Sequence, residues 1–266
     1  MRIALSQLTT GPDPERNLLL VEEWTRRAAD AGARAVVFPE ATMACFGTPL
    51  APLAEPLDGP WADGVRRIAA ATGTVVVAGM FTPAAGGRVA NTLLATGAGV
   101  EASYDKVHLY DAFGFRESDT VAAGSATTVI DVDGVRLGLA TCYDIRFPEL
   151  FRAHADAGAV ATLLGASWGA GPGKRDQWEL LARARALDAT VWLAAVDQAD
   201  PGTDAGAGSA PTGIGHSRVV GPDGTVRHAL GAGPELLVAD LDVDEVAAVR
   251  QRLSVLANRR PEVWGR

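Results

Sequence analysis

Only two lysines, Lys106 and Lys174, stand among the 24 basic residues of this sequence. No run of basic residues occurs, and the formal net charge is −8. An acidic chain without a basic stripe repels phosphate backbones and anionic lipid, so neither nucleic acid nor a membrane surface is an expected partner. No apolar run reaches the length of a membrane span. The segment Met1–Ser6 also lacks the long apolar stretch and small-residue cleavage site of a secretory leader. Cysteine is scarce too, with Cys45 and Cys142 the whole complement. These absences point to a cytoplasmic protein with both thiols reduced. No cluster of ligand residues has the spacing of a metal site, and the covalent chemistry of a Glu/Lys/Cys set, taken up below, needs no metal or organic cofactor, so none is expected. A bias toward arginine explains the missing lysines. Under that bias a retained lysine draws notice, because its compact ammonium is not replaceable by a planar guanidinium.

What is present is apolar and regularly spaced. Of 266 residues, 48% are hydrophobic, enough for a large core. Strands are predicted over 2–7, 35–38, 74–80, 88–95, 100–105, 127–132, 135–140, 160–164, 190–196, 216–221, 225–229 and 236–241. Helices are predicted over 14–32, 61–72, 148–158, 174–188 and 243–251. Leu18, Val21, Trp24 and Ala28 share one face of the first helix. Tight turns are expected at Thr96–Gly99 and at Asp133-Gly134, and the Gly/Ala/Ser/Pro-rich stretch 200–215 reads as a surface loop. Strands and helices alternate, with hairpins between, which argues for layered α/β architecture with mixed sheets. No linker and no clear internal repeat breaks the sequence, so residues 1–266 are read as one domain.

Three segments each place one reactive group at the end of an apolar strand. Val36-Val37-Phe38-Pro39-Glu40 puts a carboxylate at a sheet rim, where α/β proteins bind ligands and partial burial would make it a base; a surface turn or helix cap is the plainer alternative. Ala102–Leu109 closes a strand with Lys106, either a fixed positive charge for developing anions or an exposed strand-end lysine, and His108 competes for a catalytic role. Leu137–Leu150 carries Cys142 at a strand–turn–helix junction. There the helix end and backbone N–H groups are expected to lower the thiol pKa, the alternative being an inert buried cysteine. Cys45 lies in a loop-like stretch and ranks below Cys142, although its closeness to Glu40 could bring it to the same pocket.

A Glu/Lys/Cys set is chemically complete: the carboxylate takes the thiol proton, the thiolate attacks and the ammonium holds the oxyanion. The segments 38–40, 104–109 and 141–149 closely resemble the three catalytic motifs of the nitrilase superfamily of carbon–nitrogen hydrolases, in order and with suitable spacing. The likeness continues through 178–186, 215–217 and 258–262, and so spans essentially the whole chain. It implies Glu40 as base, Lys106 as oxyanion lysine, Cys142 as nucleophile, and Glu117 as a second glutamate orienting lysine and substrate. The Tyr143 N–H would be the other oxyanion donor. It also implies a four-layer α-β-β-α sandwich and a homodimer or higher homo-oligomer.

The Cys142–Leu150 run and the Arg259-Arg260-Pro261 tail look most like the branch of deaminated-glutathione amidases and omega-amidases. The expected substrate is therefore the amide of a small carboxylic acid, cleaved through a cysteine thioester. The segments 169–177 and 200–213 depart from that branch and are expected to border the pocket. Arg146 either binds a substrate carboxylate or pairs with Asp144 or Glu149. Tyr110, Phe113 and Phe115 wall the pocket or meet another subunit, whereas Trp178 and Trp192 belong to the core. A nitrilase or N-carbamoyl-amine hydrolase would use the same triad. A catalytically dead scaffold or a Cys45/Cys142 redox sensor are the readings from other classes.

Overall fold

Alternation along the strands decides the layering. In this computed structural model, which describes residues 1–202 and 210–264, Ile3 and Leu5 of β1 (Arg2–Gln7) join one buried cluster and Ala4 another. The same split recurs in β2 (Ala35–Val37), where Val36 faces away from Ala35 and Val37. It recurs again in β3 (Val75–Pro83), where Val76 and Ala78 oppose Val75 and Val77. Successive side chains of a strand point to opposite faces, so this sheet is buried on both sides. One side is covered by α1 (Pro14–Asp30) and α2 (Pro60–Thr72), through Val21, Trp24, Ala28, Trp61 and Val65. Asp13 caps α1 by accepting from the Glu15 and Arg16 N–H groups, and both helices open on a proline at the first position, where its missing N–H costs nothing.

The sheet continues antiparallel through β4 (Val89–Gly97) and β5 (Val100–Asp105). The connecting turn is tighter than the sequence suggests: Ala98 and Gly99 alone form it, both with positive φ, and Thr96 and Gly97 stay in the ladder. A small ribbon of β6 (Asp111–Ala112) and β7 (Phe115–Arg116) follows. Then β8 (Val121–Ala122) lies beside β4.

The second sheet holds β9 (Val129–Val132), β10 (Val135–Thr141), β11 (Ala161–Ala166), β12 (Trp192–Asp197), β13 (Arg218–Val220) and β14 (Val226–Ala229). Their order is β14-β13-β12-β11-β10-β9. Leu137, Leu139, Leu163 and Ala194 pack in one cluster with Ile3, Leu5, Val37 and Val77 of the first sheet. Behind them lie α3 (Pro148–Asp156) and α4 (Lys174–Ala189), whose Phe151, Trp178 and Ala182 are buried. A Cβ at Gly138 would strike the His154 ring of α3, so that strand and helix touch. Helices, sheet, sheet and helices thus form the expected four layers. The chain returns through β15 (Glu235–Asp240), which pairs antiparallel with β1, before α5 (Val243–Arg252) and α6 (Pro261–Trp264).

Several boundaries differ from expectation for local reasons. Thr190 does not start β12; it caps α4 in the left-handed conformation. His216 also has positive φ, which delays β13 to Arg218. The expected loop at 200–215 has no regular element in its described parts, and residues 203–209 of it lie outside the described residues. The sequence shows no repeat, yet the topology repeats. The units β1-α1-β2-α2-β3 and β10-α3-β11-α4-β12 each make three parallel strands and then turn antiparallel. Topology survives without sequence likeness because only burial pattern and turns specify it.

Candidate active site

Glu40 follows β2 on a segment held between two glycines. A Cβ at Gly79 in β3 would lie 2.8 Å from the Ala41 nitrogen, and one at Gly165 in β11 would lie 2.8 Å from the Phe38 carbonyl. Real Cβ atoms do not approach so closely, so the segment fits between β3 of its own sheet and β11 of the other only because both positions lack side chains. The segment is tied further by Gln198 Nε2, which donates to the Glu40 carbonyl at 3.0 Å, and by Thr42 Oγ1, which donates to the Pro39 carbonyl at 2.6 Å. The Glu40 side chain is buried. Its Oε1 accepts from Lys106 Nζ at 2.9 Å and from Asn91 Nδ2 at 2.7 Å; its Oε2 accepts from the Ser167 N–H at 3.0 Å.

Lys106 is not an exposed strand end. It follows β5, is 2% exposed, and donates to both Glu117 oxygens at 3.0 and 2.9 Å as well as to Glu40. Burial alone would lower its pKa, but the Glu40 and Glu117 carboxylates outweigh that and raise it, so the ammonium is permanent. Glu117 opens a 3-10 turn after β7, and its Oε2 also accepts from the Tyr110 N–H at 2.6 Å. Burial pushes the Glu40 carboxyl up; Lys106 opposes this and Glu117 adds to it.

Cys142 begins a five-residue 3-10 turn, Cys142–Arg146, that precedes α3. Its φ of 44° is left-handed, a strained geometry for a residue with a Cβ and one that lifts the side chain out of the strand. Asp144 secures the turn: its Oδ2 accepts from the Thr141 N–H at 2.9 Å and the Tyr104 hydroxyl at 2.7 Å. The Asp144 Oδ1 accepts from the His108 N–H at 3.0 Å and lies 2.7 Å from His108 Nδ1. His108 is thereby engaged in support, stacked on Phe147, and does not line the cavity. The expected lowering of the thiol pKa is overturned. Burial, and then the negative charge of Glu40, push it well above its ordinary value, against the pull of Lys106. A one-turn 3-10 segment has too little dipole to reverse that. The buried thiol lies beside a carboxylate placed to accept its proton. Sγ lies 3.8 Å from the Ser167 carbonyl.

These groups line a cavity of about 520 Å³, which also takes in Tyr143, Arg146, Trp168 and Lys174. Tyr110 and Phe115 are on its wall, whereas Phe113 is 72% exposed. Gly169, Lys174, Ala210 and Pro211 border it, so the described parts of both departing segments reach the pocket. Cys45 does not line it and contacts Thr48 instead. Arg146 pairs with neither Asp144 nor Glu149; its Nη2 donates to Gln177 Oε1 at 2.7 Å, and its Nε is buried without a partner. Trp178 and Trp192 are core, each with its indole N–H on a carbonyl.

Sequence reasoning missed Asn91, Ser167 and Asp197. Asn91 is an inward polar residue in an apolar strand, a signal that could have been read. Ser167 acts through its backbone and leaves no residue signature. Asp197 is fully buried and accepts from the Trp168 and Ile214 N–H groups at 2.7 and 2.8 Å, and burial holds its pKa well above the usual carboxylate range. It fixes the turn that aims the Ser167 N–H at Glu40.

The carbon–nitrogen hydrolase profile matches residues 2–251. A hydrolase of Mycobacterium tuberculosis is 58% identical over 97% of this chain and 95% of its own length. The deaminated glutathione amidase of Escherichia coli O157:H7 is 34% identical over 98% and 97%. Among solved structures, an amidase from Nesterenkonia sp. AN1, captured with acrylamide added to its active-site cysteine, superposes with TM-score 0.82 at 29% identity, covering 99% of this chain and 98% of the other. Saccharomyces cerevisiae Nit3, of the nitrilase superfamily, gives 0.85 at 27% identity over 98% and 96%. With a four-layer fold, a buried Glu/Lys/Cys site and this likeness along nearly its whole length, the chain belongs to the carbon–nitrogen hydrolases of the nitrilase superfamily.

Proposed function

We propose that this protein hydrolyses the amide of a small carboxylic acid through a thioester on Cys142. The observation that carries the reading is the buried junction of Glu40, Lys106 and Glu117 at the base of the cavity that Cys142 enters. Glu40 takes the thiol proton, and the thiolate attacks the amide carbonyl. Lys106 and the Tyr143 N–H stabilise the tetrahedral oxyanion, and Glu117 holds Lys106 in position. The protonated Glu40 then gives its proton to the leaving nitrogen, and ammonia or an amine departs. A water deprotonated by Glu40 attacks the thioester, the carboxylic acid leaves and the thiol is restored. Burial, which pushes the Glu40 carboxyl up, suits a group that must both take and return a proton. Arg146, with its unpartnered Nε, binds a substrate carboxylate. The amidase names of several relatives support this substrate class.

Intact mass spectrometry tests the reading. Wild type and Cys142→Ala are mixed with ω-amides of dicarboxylic acids and quenched early. An acyl adduct on wild type alone, with ammonia released, is expected. Undiminished turnover by Cys142→Ala would sink the assignment.

A further inference from the structure

Three cations lining the cavity have no carboxylate partner among the described residues: Arg88, which is exposed, and Arg146 and Lys174, which meet at Trp168. Arg146 lies with its guanidinium carbon 5.6 Å from the Tyr143 ring centre and 5.2 Å from that of Trp168. Lys174, the only lysine besides Lys106, begins α4 directly after Gly173, whose φ is 70°. Its carbonyl accepts from Trp168 Nε1 at 2.9 Å, which fixes where the side chain departs. Its Nζ lies 3.1 Å from the Tyr110 hydroxyl and 3.6 Å from the Phe113 ring centre. Trp168 thus joins the two cations, its ring facing one and its N–H holding the backbone of the other. Other cations nearby are answered: Arg175 and Arg218 both reach Glu179 at 3.0 Å.

Aromatic faces and a neutral hydroxyl favour an ammonium but do not neutralise it. In a chain of net charge −8, unanswered cations gathered in one cavity focus a local positive field, and Arg146 and Lys174 are the two that Trp168 holds together. The deep end, with Glu40 and Glu117 against Lys106, carries the opposite sign. A substrate with its anionic groups far from the scissile amide satisfies both ends. One carboxylate on Arg146 leaves Lys174 unanswered.

We propose that Lys174 is a second anion anchor and that the amide turned over here carries two anionic groups, one for Arg146 and one for Lys174. This rests on the amidase reading above and narrows its substrate class.

Steady-state kinetics with matched amides tests it. Glutaramate carries one carboxylate; 3-carboxyglutaramate and glutaryl-glycine carry a second, on the acyl side and on the leaving side. Wild type should prefer one of the dianions to glutaramate in kcat/KM. Lys174→Met should cut that preference by about tenfold or more, mainly through KM, since a charge-assisted hydrogen bond is lost. Lys174→Arg should retain most of it. Absence of the preference in wild type overturns the anchor. So does a Lys174→Met variant that loses glutaramate and dianion turnover in equal proportion, because a purely structural lysine would act that way. Failure of wild type to form any acyl adduct on Cys142, with any amide, overturns the amidase reading itself and the anchor with it.

Discussion

The two topological halves contribute unlike things to one site. The first half supplies the charged groups, Glu40 after β2, Lys106 after β5 and Glu117 beyond β7, with the neutral amide of Asn91 in β4 donating to Glu40. The second half supplies the sulfur and the backbone that frames it: Cys142 after β10 and Ser167 after β11, with Asp197 at the end of β12 bracing that frame. Glu40 and Ser167 occupy the same place in their respective halves, after the second parallel strand, and they hydrogen-bond to each other. A repeated framework therefore carries different chemistry at equivalent strand ends. Neither half holds a working set alone.

The sharpest way to break this arrangement is to remove the ammonium on which the first half's charges converge. Lys106→Met should lower kcat/KM by at least about 10³-fold, because oxyanion stabilisation and the neutralisation of two buried carboxylates vanish together. It should also cost roughly 3–5 kcal/mol of stability, the usual result of breaking a buried ion pair from one side. Denaturant titration beside kinetics would read both. A variant as stable as wild type would mean that Glu40 and Glu117 do not repel as their geometry requires.

The second half offers the next effect. His154 is buried against β10, and its Nδ1 lies 3.1 Å from the Thr162 hydroxyl. Burial lowers its pKa to about 4 from 6.5. The unfolded chain therefore takes up this proton first as pH falls. Stability that is complete above pH 6.5 should decline by roughly 3 kcal/mol on the way to pH 4. Glu40 and Asp197 act the other way, since their raised pKa values let the folded state bind protons first. Denaturation midpoints at pH 7 and 4.5 separate the contributions: His154→Gln should flatten the decline, and an unchanged decline would move its origin elsewhere.

Gly165→Ala attacks the contact between halves. The new Cβ must displace the Phe38–Glu40 backbone, which should cost about 1–3 kcal/mol. It should also depress kcat more than KM, because Glu40 moves relative to Cys142. Loss of stability with kcat intact would show that the segment yields without misplacing its carboxylate. The smallest effect is expected at Arg34 and Asp133, which join the halves at the surface through two hydrogen bonds of 2.7 and 3.1 Å. Both side chains are about half exposed, so solvent screening leaves little. Arg34→Ala should move the thermal midpoint barely, and only at low salt.

Much of this was legible in the sequence, for identifiable reasons. Strand ends carrying Glu40, Lys106 and Cys142 stood out because apolar runs stopped at reactive groups. Glu117 was readable only through family likeness, since a glutamate in a loop signals nothing by itself. Asn91 left only a weak trace, a polar residue inside an apolar strand, whereas Ser167 and Asp197 act through backbone contacts and pairing that no local pattern encodes. The thiol was misjudged for a related reason. A sequence displays the turn that follows Cys142 but not the carboxylate brought against it from the other sheet. Likewise Asp144 looked like a partner for Arg146, whereas the fold gives it to Tyr104, His108 and Thr141.

The pairing of β1 with β15 bears on how the chain is made. Arg2 meets Asp240 across 238 positions, so one edge of β1 has no neighbour until nearly all of the chain has emerged from the ribosome. At ordinary elongation rates that interval is on the order of tens of seconds. A bare strand edge is a template for pairing with other chains. For β1 the hazard is confined to the nascent protein, since β15 covers that edge in the finished fold. A slower ribosome would therefore reduce the yield of soluble protein while leaving the specific activity of each completed molecule unchanged.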